Sequence, residues 1–446
     1  MEKTGFRLYL LFVLSYFLHL PARIPALGVI RSDFVLMAAI LATIVVGAKD
    51  QAQEMNFQER STRILWYLVL YILCTLPFVT WPGSVLHSGI PDFSKVVVFY
   101  FFTIYLVNTE SKLKVFVAVV IGAQLFRVAE PLYLHLTQGY WGDFTTMEPG
   151  VYLTRLSGAP HDVVNPNGLA FVIVAIVPFL HYFLMRRTFF HRLVYLGLLS
   201  VLMYALLLTE SRTGLVGLMI VLLMIISKSR YKALGILIVI SALLIVPLSM
   251  SKLQRDRYLS TVDYHVPGGA TSEGRISGLI RDFKVGLERP IIGHGMGTSE
   301  EANFNVAGVG QPSHDLFTEA FQELGFCGLF IVLLYIASVF RNLKAAGQIV
   351  GRSWIENNSG LARMTYALQA WASMYLVTSL ATYGLSTYGW YLIGGLAVVV
   401  RRLVEEQGTT QTVSPEKEAD ESPFGAQPEV DFLEPGQGLE PWRHDS

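Results

Sequence analysis

Charge is scarce in this sequence. Asp, Glu, Lys and Arg make up 15% of its 446 residues, where a soluble chain carries about a quarter. That excludes an ordinary soluble globule. Cysteine is nearly absent, at two residues, Cys74 and Cys327. Both lie inside apolar stretches, and two thiols build neither a disulfide framework nor a four-ligand zinc site. HExxH and Asp-x-Asp patterns are missing, so no metal and no cofactor are expected. The glycine-rich "GHGMG" (Gly293 to Gly297) is followed by no Lys-Ser/Thr, which excludes a phosphate-binding P-loop, and it has no strand–helix context for a dinucleotide fold. It reads as a flexible turn. Net charge is zero, and no nucleic-acid partner is expected.

What is present is apolar surface: 52% of residues are hydrophobic and mean hydropathy is +0.46. It comes in blocks about as long as a membrane-crossing helix, near residues 6–22, 26–47, 63–82, 93–108, 112–128, 168–185, 191–208, 213–228, 232–249, 317–340, 362–383 and 386–401. The expected fold is all-α: a polytopic bundle of about 12 transmembrane helices over residues 1–402. The first block, after Lys3 and Arg7, reads as a retained signal-anchor. Residues 403–446 hold eleven acidic residues, two basic ones and five prolines. They are expected to form a disordered acidic cytoplasmic tail.

Lysine and arginine favour cytoplasmic loops. With the N-terminus inside, nineteen fall in inside segments and six in short outside ones (Arg23, Arg31, Lys95, Arg127, Arg155 and Arg212). Both termini are therefore expected in the cytoplasm. Three segments then face outward: 129–167, the short "LTESRTGLVGL", and a large loop near 250–316. That loop has too much glycine for a core of its own. It does contain an amphipathic helix candidate, with Ile276, Leu279, Ile280, Phe283 and Leu287 on one stripe and Pro290 as its stop. Such a helix suits the membrane surface or a cap over the bundle.

Two features of the outer side carry chemistry. Arg155, Arg212 and Arg275 stand beside glycine, serine or threonine, and guanidinium groups suit bidentate phosphate recognition. At helical spacing, His314, Phe317, Phe321, Gly325 and Gly328 share a face. The glycines would dock that helix against a neighbour while His314 stands at its outer mouth. Asp315 equally suits a helix N-terminus. Ser211 has no histidine at a readable spacing, so a serine nucleophile is not expected.

Together these stretches resemble the bacterial O-antigen ligase and O-antigen (exopolysaccharide) polymerase superfamily of integral-membrane glycosyltransferases. "HDLFTEAFQELGFCG" is similar to its His–polar–nine residues–Gly–two residues–Gly signature, with Asp315 where the family commonly has Asn. "SRTGLVGL" looks like its serine–arginine–small motif, and "TRLSGAPHDVVNPNGLA" like its Arg-x-x-Gly…Asn stretch. "EGRISGLIRDFKVGLERPIIGHGMG" resembles part of its large periplasmic loop. The likeness runs from about 150 to 340.

The resemblance implies a GT-C-like enzyme of the inner membrane with a periplasmic active site. It implies metal-independent, inverting transfer of glycan from an undecaprenyl-diphosphate carrier to a sugar hydroxyl, on a growing glycan or on lipid A-core, with protein O-glycosylation as a third acceptor option. Arg212, Arg275 and Arg155 would hold the diphosphate, His314 would act as base, and Asp315, Gly325 and Gly328 would support it. Two other readings are a transporter or flippase of lipid-linked oligosaccharide and a membrane scaffold. Against transport, the span centres are almost free of charge and no internal repeat is visible.

Overall fold

The computed structural model describes residues 2–50, 59–148, 150–162, 164–185, 188–249, 252–259, 269–352, 359–382 and 384–420. Its first part comprises α1 (Glu2–Phe17), the short turns α2 (Leu20–Arg23) and α3 (Pro25–Val29), α4 (Ser32–Asp50) and α5 (Arg60–Thr75). There follow the single turn α6 (Pro82–Ser84), then α7 (Ile90–Leu106), α8 (Glu110–Gln138), a hairpin β1 (Gly142–Glu148) and β2 (Val151–Leu156), and α9 (Pro166–Leu184). Next come α10 (Phe189–Leu208), α11 (Arg212–Lys228), α12 (Lys232–Ser249), α13 (Lys252–Leu259), α14 (Gly269–Leu287), α15 (Ser299–Ala307), α16 (Leu316–Arg352), α17 (Gly360–Thr378) and α18 (Tyr388–Asp420).

The protein is an all-α polytopic membrane protein carrying one small β-hairpin. Helix forms within the apolar blocks, but those at 6–22 and 26–47 are each interrupted, by left-handed backbone at His19 (φ 52°) and Arg31 (φ 48°). Six described stretches are long and apolar enough to cross a membrane: Arg60–Phe78, Pro82–Leu106, Glu110–Gln138, Pro166–Leu184, Phe189–Leu208 and Leu316–Gly351. Several others, such as the 16-residue α1 and 17-residue α11, fall short of the roughly 20 residues that span the hydrocarbon core.

The core lies where α18 packs on α7, α16 and α17, with α16 also against α5, and α11 against α9 and α17. Aromatic rings fill the α1–α7–α8 contact: Tyr9, Phe12, Phe99, Phe102 and Phe116 are fully buried, and the Tyr9 hydroxyl meets Thr103 Oγ1 at 2.8 Å. Small residues let α18 approach, since a Cβ on Gly395 would lie 3.0 Å from the Tyr100 carbonyl oxygen.

The hairpin was not expected from the apolar pattern, because it is short and its strands are half exposed. Antiparallel register pairs Asp143 with Arg155 and Gly142 with Leu156. Phe144 and Tyr152 meet edge to face across it, with ring centroids 5.4 Å apart. Among the described residues of 250–316, α13 and α15 flank α14, the amphipathic helix expected there. α18 also continues past Arg402 to Asp420, so helical structure does not stop at the boundary expected at 403; residues 421–446 lie outside the described residues.

Candidate active site

The site is built on the turn between α10 and α11. Glu210 adopts a left-handed backbone with φ 49°, uncommon for a non-glycine residue. This reverses the chain within a few residues and turns two successive carbonyls toward two arginines. Arg155 Nε donates to the Thr209 carbonyl at 2.9 Å, and Arg257 Nε donates to the Glu210 carbonyl at 2.9 Å. Ser211 then caps α11, accepting from Gly214 N at 3.1 Å and donating to Asn167 Oδ1 at 2.9 Å. Gly214 is small because a Cβ there would lie 2.5 Å from that of Ala170. The serine–arginine–small motif is thus a cap, a guanidinium and a close helix crossing, and Ser211 has a structural role.

Arg155 is buried, at 5% exposure, yet its acceptors are neutral: the Thr209 carbonyl, Asn167 Oδ1 at 2.9 Å and Thr145 Oγ1 at 3.4 Å. Burial and the charge of Arg257 push its pKa down to about 9, with Arg275 adding to the effect and Asp143 opposing it. Burial, Arg257 and Arg275 push Arg212 down to about 10. Arg257 and Arg275 are themselves lowered, chiefly by burial. Arg257 and Arg275 lie within electrostatic reach of each other and of both Arg155 and Arg212. The nearby carboxylates are Asp143 and Glu210, and burial pushes the Glu210 carboxyl up. Four cations near two carboxylates make a locally positive cluster suited to an anion.

The structure therefore brings Arg155, Arg212 and Arg275 together from three separate segments, and adds Arg257 from α13, which the sequence reading missed. Arg257 lies in "KLQRDRYL", a polar run that reads as solvated. The usable signal was its place in the same expected outward loop as Arg275.

His314 is arranged differently from the expectation. α16 begins at Leu316, so His314 precedes the helix and shares no helical face with Gly325. Asp315 is the residue at the helix end: its Oδ1 accepts from Phe317 N at 2.9 Å and Thr318 N at 2.8 Å. Asn and Asp serve equally well there, which accounts for Asp at this position. His314 is exposed, and its Nε2 accepts from the Gln311 side-chain amide at 2.8 Å. Burial of part of the ring and the charge of Arg275 lower its pKa below the ordinary histidine value. The imidazole is thus neutral at neutral pH and electrostatically linked to the arginine cluster.

Gly325 breaks α16, with φ 66° and ψ −173°, a conformation open essentially to glycine alone. A Cβ there would lie 2.3 Å from the Ile291 backbone, and one on Gly293 2.3 Å from the Glu323 backbone. Backbone bonds run across this contact: Phe326 N to the Pro290 carbonyl at 2.7 Å, His294 N to Gln322 at 2.9 Å and Gly295 N to Glu323 at 2.9 Å. Gly328 gives room to Leu324 and Tyr71. "GHGMG" is therefore a seated segment and not a flexible turn. His294 bolts it down, its Nε2 donating to the Val285 carbonyl at 2.9 Å and its Nδ1 accepting from Thr80 at 3.2 Å.

The buried Glu323 and Glu319 hold neighbouring loops. Glu323 accepts from Gly297 N and Ser299 N at 2.7 and 3.2 Å. Glu319 accepts from Gly384 N and Leu385 N at 2.8 and 3.1 Å. A chain of buried amides, Gln322 to Asn303 at 2.6 Å and Asn303 to Asp282 at 3.0 Å, ties α16 to α15 and α14. α14 consequently turns Asp282 and Val285 inward and its apolar stripe outward: Ile276, Leu279, Ile280, Phe283 and Leu287 are 37–52% exposed. Among the described residues no His/Cys/Asp/Glu group could hold a metal ion.

Residues 196–333 match the family model described as O-antigen ligase. This stretch is similar to the O-antigen ligase family over about a third of the chain. It contains Arg212, Arg257, Arg275, His314, Gly325 and Gly328, while Arg155 reaches in from outside it. The family implies a glycosyltransferase-like ligase activity, with glycan and lipid-linked substrates in the membrane, in O-antigen or related synthesis. No curated protein matches the chain. A chain from the solved structure "Structural coordination of polymerization and crosslinking by a peptidoglycan synthase complex" superposes with a TM-score of 0.41 at 15% identity, covering 77% of this chain and 98% of that one. That likeness is too slight to bear on the ligase domain's fold or chemistry.

Proposed function

We propose that the protein is a metal-independent, inverting glycosyltransferase that moves glycan from an undecaprenyl-diphosphate carrier onto a sugar hydroxyl at the periplasmic face of the inner membrane. The observation that carries this reading is the convergence of buried Arg155 and Arg257 with half-buried Arg212 and Arg275, whose charges oppose one another, beside His314. A diphosphate relieves that repulsion. In the reaction, the acceptor oxygen attacks the anomeric carbon from the face opposite the carrier, and the carbon–oxygen bond to the phosphate breaks. The electron pair leaves on the diphosphate oxygen, where the guanidinium groups stabilise the growing charge. His314 Nε2 takes the hydroxyl proton once the acceptor displaces the Gln311 amide.

The outward apolar stripe of α14 fits a helix resting on the bilayer, which sets Arg275 level with a lipid-borne phosphate. The reading includes a twelve-span bundle over residues 1–402 with both termini in the cytoplasm. His314→Ala and Arg212→Ala, expressed in a strain deleted for the gene, test it through surface polysaccharide. A polymerase lesion leaves single repeat units on the surface lipid, and a ligase lesion leaves long chains on the carrier. Normal polysaccharide from both variants overturns the transferase reading.

A further inference from the structure

A cavity of about 610 Å³ opens at the opposite end of the bundle from the arginine cluster, between α5, α16 and the start of the charged part of α18. The two ends are separable along α16. Tyr71 of α5 donates to the Leu324 carbonyl at the site end, and Arg341 lies about 25 Å further along at 1.5 Å per residue. Four guanidinium groups line the cavity, from Arg60, Arg63, Arg341 and Arg401, against the single carboxylate of Glu59. That carboxylate is committed: Arg401 binds it at 2.5 Å and Asn342 at 3.2 Å. Arg60, Arg63 and Arg341 are exposed, and their side chains have no ion-pair partner among the described residues.

Two features point to the ligand. Arg60 and Arg63 stand in the first turn of α5, which contains no acidic residue. This is the positive end of the helix dipole, where cations are unfavourable and an anion is favoured. The lining is also graded. Along α5 it passes from Arg60 and Arg63 to Ile64 and Tyr67, and along the antiparallel α16 from Arg341 back to Leu334 and Ile331. Both helices thus have their cations at the bundle end and their apolar side chains deeper.

We infer that this cavity binds a phosphate-bearing ligand, and that the ligand is an anionic phospholipid of the leaflet opposite the active site. Its phosphodiester meets the arginine fork and its acyl chains lie along Ile64, Tyr67, Leu334 and Ile331. A free phosphate satisfies the cationic end alone and leaves the apolar wall without a partner.

The test uses the full chain purified in mild detergent, with phospholipid in the extract measured by mass spectrometry. Wild type is expected to retain phosphatidylglycerol or cardiolipin in preference to phosphatidylcholine. The double variant Arg63→Ala/Arg341→Ala, which leaves the Arg401–Glu59 pair intact, should bind anionic lipid about thirty-fold more weakly. A second measurement needs no variant: added phosphatidylglycerol should raise the unfolding temperature of delipidated wild type, with phosphatidylcholine and inorganic phosphate leaving it unchanged. Equal retention of anionic lipid by wild type and the double variant overturns the inference. So does stabilisation by inorganic phosphate with none from phosphatidylglycerol. Neither readout depends on glycan transfer.

Discussion

Arg127 and Arg155 are both buried, at 6% and 5% exposure, but their partners differ in kind. Arg127 meets the Asp162 carboxylate through two bonds, Nε–Oδ2 at 2.6 Å and Nη2–Oδ1 at 2.8 Å, and so its charge is cancelled within the fold. Arg155 is held by a carbonyl, an amide and a hydroxyl, with Arg257 and Arg275 within electrostatic reach. The histidines repeat the contrast. His294 is 3% exposed with both ring nitrogens engaged, whereas His314 is exposed beside the cluster. Burial alone therefore does not separate structural cations from functional ones; the charge of the acceptors does.

The contrast is open to attack by substitution. His314→Ala should cost about 10²- to 10⁴-fold in transfer rate, measured with a lipid-linked donor in proteoliposomes, without lowering the unfolding temperature. An equal loss from a conservative substitution at His294 would erase the distinction between the two rings. Arg127→Ala should instead destabilise the fold by about 3–5 kcal/mol, because it strands a buried carboxylate, while activity per folded molecule survives. Chemical denaturation in detergent reports the first and active-fraction titration the second. Arg155→Lys keeps the charge but loses the planar fork, and should lower turnover by about 10²-fold, near the effect of removing one transition-state donor. Full activity of that variant would mean the guanidinium is merely packing.

Smaller effects sharpen the geometry. Gly325→Ala should destabilise by about 1–3 kcal/mol from backbone strain alone, with the clash at Ile291 adding to it, and should weaken donor and acceptor use together as the 290–297 segment lifts. The smallest effect concerns pH. A base must be unprotonated, so activity should fall as pH drops through the His314 pKa, which lies below the ordinary value of about 6.5. Removing a neighbouring cation by Arg275→Gln raises that pKa. The acid limb of kcat/KM should therefore move to higher pH; an unmoved limb would place Arg275 out of electrostatic reach of the histidine.

Much of this was legible in the residues. Apolar blocks became helices because hydropathy is a sum over neighbours in sequence, and Asp315 at a helix start follows from its side-chain reach. The hairpin around Arg155 escaped notice because two short half-exposed strands leave little periodic signal. Gly325 was assigned to a continuous face because its spacing from His314 suits an unbroken helix; nothing local announces that Ile291 will press its backbone against that glycine.

The sequence by itself determined a membrane protein, arginines beside small residues and a histidine before an apolar helix, since each depends on residue type and short-range order. Only the tertiary structure decided which arginines gather in one place. That choice hangs on partners up to about a hundred residues apart, such as Arg257 against Arg155, and whether two buried charges meet depends on distance through space, which spacing along the chain does not encode.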